Sequence, residues 1–132
     1  MSTFEKLVGK TITELWISSD KENIVFVDSE GKEHGFYAYG DCCSNSWIEH
    51  MTGLDCLLGH HKVLSAEDMD IDSFNDSDSE HIQVYGITLT TERGHFLFEF
   101  RNSSNGYYGG YMEESPYSQM NRAEFLQVKT DF

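Results

Sequence analysis

The sequence predicts an α+β fold: a mostly antiparallel, twisted sheet of about six to eight strands with one short helical insert around residues 46–58. Three observations support this fold class. Runs of β-branched and aromatic residues recur along the chain, short polar turns with glycine separate them, and aromatics make up 14% of the residues. A length of 132 residues predicts a single domain over residues 1–132 that can bury one core.

The first forty residues predict a three-stranded antiparallel meander. Phe4, Leu7 and Val8 have helical spacing, so this opening segment is expected to be a short helical turn or an entry strand. Short polar turns then separate three strand-like runs, at residues 11–18, 23–28 and 33–39. The middle run is apolar without interruption over residues 24–27, which indicates a strand covered on both faces.

A helix is predicted to begin near Trp47. Ser46 and Glu49 have the spacing of a capping box, and Met51 follows Trp47 by about one helical turn. Gly53 is a typical helix end. Residues 54–58 are expected to add a second short helical turn.

The second half of the chain predicts further antiparallel strands. Residues 81–91 and 95–101 form a hairpin around a turn at residues 92–94, and Phe96, Phe98 and Phe100 share one face of it. Shorter strands are predicted at residues 63–64, 107–113 and 125–130. The strand at 107–113 has Gly109-Gly110 at its centre, and glycine inside a strand often marks the close approach of a backbone or a ligand.

Residues 65–81 carry an acidic cluster that is expected to end a strand and continue as an exposed loop. Asp68, Asp70 and Asp72 resemble the start of a calcium-binding loop. The sixth position is Ser73 and the twelfth is Ser79, where glycine and a bidentate glutamate are needed. A solvated acidic loop is therefore the favoured interpretation.

The formal net charge of −14 is the strongest compositional signal. It argues against direct binding to nucleic acid or to anionic membranes, because phosphate groups are bound by lysine and arginine. It also permits an acidic mimic of nucleic acid that fills a basic groove on another protein. No apolar run approaches the length of a membrane span, and no hydrophobic signal stretch opens the chain, so a cytoplasmic location is expected.

Cysteine and histidine residues suggest a metal site only weakly. Cys42, Cys56, His60 and His61 are the candidate ligands, but no Cys-x-x-Cys spacing is present. Free thiols that pack as small core residues are the favoured interpretation, in a reducing compartment. No cofactor is expected.

A thiol nucleophile is the candidate catalytic site. Cys43 precedes the predicted helix, whose N-terminus would favour the thiolate, and His50 or His95 would be its base. Asp41 lies close in sequence and opposes thiolate formation. No third residue that would orient the base can be named from the sequence.

An aromatic surface is the candidate ligand-binding site. Tyr107, Tyr108 and Tyr111 surround the two glycines, and Trp47 and Arg101 are expected to complete the surface. Such a surface would stack a base or nucleotide while an arginine meets its phosphate. Ordinary packing within a sheet is the alternative interpretation of the same residues.

Two motifs of the chain are distinctive in combination: Gly-Asp-Cys-Cys-Ser-x-Ser-Trp-Ile at residues 40–48 and Asn-Gly-Tyr-Tyr-Gly-Gly at residues 105–110. They resemble the motifs of an uncharacterised family of small proteins from bacteriophages and some bacteria. The resemblance also includes Leu54 and the Leu-Leu-Gly at residues 57–59, and it spans residues 8–128. It implies a one-domain protein of phage type, located in the host cytoplasm, and it implies no catalytic residues.

These observations lead to three functional hypotheses. The first is a noncatalytic binding protein that engages a host protein or sequesters a small ligand such as a nucleotide, in host takeover or anti-defence. The alternatives are a small enzyme that uses the cysteine and histidine residues of the 41–50 segment, and the acidic mimic of nucleic acid. The two motifs are expected to form one site if they lie side by side in the fold.

Overall fold

The computed structural model describes residues 2–40, 44–77, 80–104, 110–115 and 121–132. Within these ranges the chain forms nine strands, one short α-helix and two 3₁₀ helices. The strands are β1 (Ile12–Ser18), β2 (Asn23–Asp28), β3 (Glu33–Gly40), β4 (Asn45–Thr52), β5 (Ser65–Ser77), β6 (Glu80–Thr91), β7 (Gly94–Ser104), β8 (Gly110–Glu114) and β9 (Phe125–Gln127). The helices are α1 (Leu54–Leu57) and the 3₁₀ helices Thr3–Leu7 and Arg122–Glu124. The predicted antiparallel class with one short helix is confirmed.

Five strands form the first sheet, in the order β8-β3-β2-β1-β9. The predicted meander of β1, β2 and β3 is confirmed, and both of its pairings are antiparallel. Every residue of β2 after Asn23 is buried, which confirms that its apolar run is covered on both faces. Ile24 and Phe26 face the core, while Val25 and Val27 lie on the opposite face of the sheet.

Four strands form the second sheet, in the order β4-β7-β6-β5. The predicted β6–β7 hairpin is confirmed, with Thr91 paired to Gly94 across its turn. Phe96, Phe98 and Phe100 are all buried on one face of β7, as their alternation predicts.

The two sheets pack face to face around one cluster of phenylalanines. Phe4 lies 4.2 Å from Phe36 and 5.4 Å from Phe98, measured between ring centroids. Phe36 belongs to the first sheet and Phe98 to the second, so Phe4 joins them. Each fully buried ring of this kind stabilises the fold by roughly 1.5–3 kcal/mol relative to an exposed one. The single domain inferred from chain length stays a prediction, and both sheets contribute to this cluster.

The 3₁₀ helix Thr3–Leu7 closes one side of the sandwich and confirms the expected helical turn. The Ser2 side chain caps it by accepting a hydrogen bond from the Phe4 amide. Ser2 also donates to Asp68 on β5, and Thr3 donates to the Met112 carbonyl of β8. Because β5 and β8 belong to different sheets, this short helix ties the two sheets together.

Residues 128–132 cover the opposite side. Met51 and Phe132 exchange two backbone hydrogen bonds of 2.7 and 3.0 Å, so Phe132 pairs with the outer edge of β4. The Asp131 carboxylate accepts hydrogen bonds from the amides of Gly53 and Leu54. These contacts satisfy backbone groups where β4 ends and α1 begins.

The helix predicted to begin near Trp47 is wrong for residues 45–52, which form β4. Ser46 is buried, and its hydroxyl donates to the Tyr39 carbonyl instead of capping a helix. Ser46 and Ile48 alternate with more exposed residues, and a bulge between Ile48 and His50 turns Met51 back toward the core. Within the expected 46–58 insert, the α-helix is only Leu54–Leu57.

The prediction that the acidic segment 65–81 ends a strand and continues as a loop is wrong in its extent, because Ser65–Ser77 forms the long edge strand β5. The acidic side chains of Glu67, Asp68 and Asp70 are exposed, as expected, and residues 78–79 lie outside the described residues. Strand β5 pairs with β6 along its whole length, with two bulges. An edge strand can keep its charged side chains in water on one side while its backbone is paired on the other.

Smaller boundaries differ as well. Of the strand expected at 107–113, residues 107–109 lie outside the described residues and the rest belongs to Gly110–Glu114. The strand expected at 125–130 is observed as Phe125–Gln127. In place of a strand at 63–64, Lys62 makes an isolated bridge with Thr11. No helix in the described ranges is both long and apolar enough to cross a membrane.

Candidate functional site

The backbone brings the flanks of the two sequence motifs together. Gly40 pairs with Gly110 at the end of β3 and β8, and Asn45 pairs with Ser103 in β4 and β7. The chain therefore passes between the same two sheets twice, from β3 to β4 and from β7 to β8, at adjacent places. Residues 41–43 and 105–109, which include most of the distinctive motif residues, lie outside the described part of the chain.

A buried polar network holds this junction. Asn102 is 1% exposed, and its Nδ2 donates to the hydroxyls of Ser46 at 3.0 Å and Ser44 at 3.2 Å. The Ser46 hydroxyl donates in turn to the Tyr39 carbonyl at 3.1 Å. These bonds connect β7, β4 and β3, so Ser46 and Asn102 link the two sheets. The buried Asn102 Oδ1 has no partner within the described ranges.

Trp47 and Arg101 lie directly opposite each other on β4 and β7. Because Phe100 and Asn102 face the core, Arg101 and its neighbour Trp47 lie on the outer face of the four-stranded sheet. The indole Nε1 of Trp47 donates to Glu49 Oε2 at 2.6 Å. The structure therefore brings these two candidate residues together on one face of the sheet, and their role in ligand binding stays a prediction.

Arg101 makes none of the ion pairs found among the described residues. Its Nε atom is buried and has no hydrogen-bond acceptor there. Removing such a donor from water without giving it a partner costs free energy. The chain contains 23 acidic residues, but none of those that the structure describes accepts a hydrogen bond from this atom. The Nε atom of Arg101 is therefore an unsatisfied donor within the described part of the chain.

The same face of the sheet carries exposed apolar side chains from β5. Met69 is 48% exposed, Ile71 42% and Phe74 40%. Ile71 lies across Gly86, where a Cβ atom would come within 2.5 Å of its Cδ1 atom. Val84 and Ile82 of β6 are buried but lie outside the main hydrophobic cluster, and Ile82 is paired with Phe74. We name this surface the outer sheet face and define it by Trp47, Arg101, Ile82, Val84, Met69, Ile71 and Phe74.

The three candidate tyrosines are not established as part of this face. Tyr107 and Tyr108 lie outside the described residues. The backbone of Tyr111 pairs with Tyr39 in the five-stranded sheet, and its side chain is not described. The proposed union of Trp47, Arg101 and the tyrosines stays a prediction.

The candidate thiol site is only partly described. Asp41, Cys42 and Cys43 lie outside the described residues, whereas His50 is exposed on β4 opposite Glu99. His95, the alternative base, is exposed and lies 2.9 Å from the Thr90 hydroxyl through its Nδ1 atom. The geometry between Cys43 and either histidine stays a prediction.

The weak metal candidates have other contacts where they are described. The Cys56 thiol donates to the Arg93 carbonyl at 3.6 Å, and His61 Nδ1 lies 3.0 Å from Glu92 Oε1. His60 is exposed. Among the side chains that the structure describes, no three His, Cys, Asp or Glu residues are grouped to hold a metal ion.

A buried Asp28–His34 pair was missed by sequence reasoning. The two side chains are 3% and 2% exposed, and Asp28 Oδ2 lies 2.9 Å from His34 Nε2. Burial raises the pKa of the Asp28 carboxyl, but hydrogen bonds from His34 and from the Lys32 and Glu30 amides outweigh it and hold that pKa below its ordinary value. Asp28 is the last residue of β2 and His34 is the second residue of β3. The sequence signal for this pair would therefore have been an acid and a histidine on either side of one tight turn.

The fold and this surface define a small antiparallel β-sandwich whose four-stranded sheet leaves an aromatic and apolar face exposed. Residues 5–113 match the family described as "Domain of unknown function (DUF7448)", and the chain belongs to that family. It is similar to "Uncharacterized protein L278" of Acanthamoeba polyphaga mimivirus, with 32% identity over 98 residues that cover 71% of this chain and 76% of the relative. No solved structure matches the chain significantly. An uncharacterised family is thus confirmed, while a phage origin stays a prediction.

Proposed function

We propose that this protein is a noncatalytic binding protein that engages a partner protein through the outer sheet face. The observation that carries the proposal is the exposure of Met69, Ile71 and Phe74 on the same face as Arg101, whose Nε atom has no hydrogen-bond partner among the described residues. Contiguous exposed apolar side chains mark interaction surfaces on soluble proteins. Tryptophan and arginine are the residues that most often dominate the binding free energy of protein interfaces.

Charge supports a particular kind of partner. The net charge of −14 would repel an acidic protein and attract a basic one, so the perimeter of the partner surface is expected to be basic. At its centre, a carboxylate or carbonyl oxygen would satisfy the Arg101 guanidinium, while apolar side chains would cover Phe74 and Ile71.

A viral setting is part of the same proposal. The similar protein named above is encoded by a virus, and a small viral binding protein could act on host machinery or host defence. Engagement of a host protein in the cytoplasm is accordingly the form of the proposal that we favour.

The acidic mimic of nucleic acid is the second candidate. Glu67, Asp68 and Asp70 are exposed along the edge strand β5, which supports it. A mimic would lose its partner steeply with added salt and after charge reversal on β5. The outer-face proposal instead requires the apolar side chains.

The test is affinity capture from host extract with three forms of the protein. The wild type, the double variant Ile71→Ser/Phe74→Ser and the control Leu126→Ser are immobilised, and captured proteins are identified by mass spectrometry. Leu126 is 68% exposed on β9 of the other sheet, so its substitution removes an exposed apolar side chain elsewhere.

We expect a partner that the wild type and Leu126→Ser both retain and that the double variant loses. Binding of the purified partner, measured by calorimetry, should weaken about tenfold or more in the double variant, since each buried apolar side chain contributes roughly 1.5–3 kcal/mol. Equal binding by all three forms would refute the outer sheet face as the interface.

A further inference from the structure

A separate cavity of about 590 Å³ lies on the five-stranded sheet, on the face away from the core. Val25 and Gly35 form part of its floor, and they are paired across β2 and β3. Ser115 closes one end, since its amide donates to the Gly35 carbonyl at 2.8 Å. Phe125 supplies an aromatic wall. The volume is within the range of sites that bind small molecules.

In the described part of the chain, the charged groups that line this cavity are all acidic. Asp20, Glu33 and Glu124 line it, and no lysine or arginine does so among the described residues. Among the described ion pairs, the cation that contacts a lining residue is Arg122, whose Nη2 lies 3.5 Å from Glu33 Oε2 and whose guanidinium carbon lies 4.8 Å from the centroid of the Trp16 ring. This arginine is bound at the rim, so the carboxylates of Asp20 and Glu124 can meet a ligand.

The Asp20 carboxylate is held in position by its own turn. It accepts hydrogen bonds from the Ser18 hydroxyl at 2.5 Å and from the Glu22 amide at 2.9 Å. Burial raises the pKa of Asp20, but these hydrogen bonds outweigh it and lower the pKa below its ordinary value. The group is therefore an anion at neutral pH and points to a cationic ligand.

The remaining lining separates organic cations from metal ions. Val25 and Phe125 are apolar and offer a surface for methylene groups, while serine and asparagine residues supply the neutral polar part of the lining. A calcium ion instead takes six to eight oxygen ligands, and apolar side chains supply none. Carboxylates spaced around an apolar floor instead suit a ligand with positive ends and a methylene chain. The overall charge of −14 adds a long-range attraction for the same class of ligand.

We propose that this cavity binds a linear aliphatic di- or polyamine. Its ammonium groups bind to Asp20 and Glu124, and its methylene chain packs on Val25 and Phe125. The site lies on the opposite sheet from the outer sheet face, so it goes beyond the proposed partner binding and does not depend on it.

The experiment measures the binding of spermidine to the whole protein by calorimetry and by thermal shift. A neutral linear diol of matching length tests the need for charge, and magnesium chloride tests general cation binding. The site variant is Asp20→Asn/Glu124→Gln, in which both side chains keep their shape. The matched control, Asp55→Asn/Glu67→Gln, removes the same two charges at exposed positions outside the cavity.

We expect spermidine to bind with a defined stoichiometry and to raise the melting temperature, because binding to the native state stabilises it. The site variant should bind about tenfold more weakly, as expected when charge-assisted hydrogen bonds are lost, while the control should bind like the wild type. Amide resonances of Val25 and Gly35 should shift on titration. Ile71→Ser/Phe74→Ser should bind spermidine normally, which separates this site from the partner interface.

Three results would overturn the proposal. Equal weakening in the site variant and the control would mean that spermidine only condenses on an acidic surface. Equal binding of the diol would remove the role of the carboxylates. Equal thermal stabilisation by magnesium chloride would reduce the effect to general charge screening.

Discussion

At the scale of single residues, Asp28 makes the stability of this protein depend on pH. The pKa of its carboxyl is lowered in the folded protein, from an ordinary value of 3.8. A carboxylate of this kind contributes stability above its unfolded pKa and loses it as the pH falls below 3.8 toward the folded pKa. Acid should therefore weaken the fold partly by protonating Asp28.

We predict that Asp28→Asn lowers the free energy of unfolding at neutral pH by about 1–3 kcal/mol and flattens its decline in acid. Urea unfolding at a series of pH values from neutral to acidic would measure both effects. Glu67→Gln, which changes an exposed acid on β5, should keep the wild-type pH profile. If Asp28→Asn followed the wild-type profile as well, the buried pair would contribute no pH dependence.

Ser46 is the second residue whose role the structure redefines. Its hydroxyl joins Asn102 to the Tyr39 carbonyl between the two sheets. We expect Ser46→Ala to cost about 1–2 kcal/mol, because the buried Asn102 amide and the partly buried Tyr39 carbonyl each lose a hydrogen bond. Chemical unfolding would measure this cost. Ser19→Ala, at an exposed serine, should cost under about 0.5 kcal/mol, and an equal loss in both variants would argue against the network.

At the scale of elements, the sequence predicts a strand correctly where a local pattern, such as alternation or an apolar run between turns, is sufficient to specify it. Strands β1, β2, β3, β6 and β7 have strong alternation or apolar runs with glycine turns, and all five were predicted. Residues 45–52 were wrongly predicted to be helical, because Ser46 and Glu49 have the spacing of a capping box. Pairing with β7 makes these residues a strand instead.

The acidic strand and the candidate site show the same limit. Residues 65–77 look like a loop by composition, and only the adjacent β6 makes them a strand. Trp47 and Arg101 could be named as candidate binding residues from their chemistry, and that role stays a prediction. The acidic cavity could not be predicted from the sequence, because Asp20 and Glu124 are brought together by the pairing of β1 with β9.

The end of β4 offers a test with a matched pair of glycines. Gly53 has φ +81°, and a Cβ atom there would lie 2.1 Å from the His95 carbonyl oxygen. Gly31 has nearly the same φ, +83°, with no atom within 4 Å of the added Cβ. The two sites therefore share the backbone strain and differ in the clash.

We expect Gly31→Ala to cost about 1–2 kcal/mol, which is the strain of a left-handed residue with a Cβ atom. Gly53→Ala should cost more, about 4 kcal/mol or above, because the backbone of β7 must also move. Denaturant midpoints of the two variants would decide this. Equal midpoints would mean that the close approach of β4 and β7 is not maintained in solution.

At the scale of the whole molecule, charge opposes folding. A net charge of −14 on 132 residues repels itself more strongly in the compact state than in the unfolded chain. We expect the melting temperature to rise as sodium chloride screens this repulsion, most of it by about 0.15 M, where the Debye length is about 8 Å. A melting temperature independent of salt would show that the charges are already balanced locally.

The division into two sheets could not be read from the sequence. The hydrophobic pattern of a strand indicates how much of the strand is buried, but it does not indicate which strands pair unless they form a hairpin. The antiparallel class could be predicted because hairpins pair strands that are adjacent in the sequence. The sandwich depends on the non-local pairs β3–β8, β4–β7 and β1–β9.

The attachment of residues 2–7 and 128–132 has a mechanical consequence. Ser2 and Thr3 are bonded to β5 and β8, and Phe132 is paired with β4. A pulling force applied between residues 2 and 132 would load these contacts before it reaches the central strands. In single-molecule stretching, the first event should therefore be a small, weak detachment of the terminal segments. The rupture of the two sheets should follow at higher force.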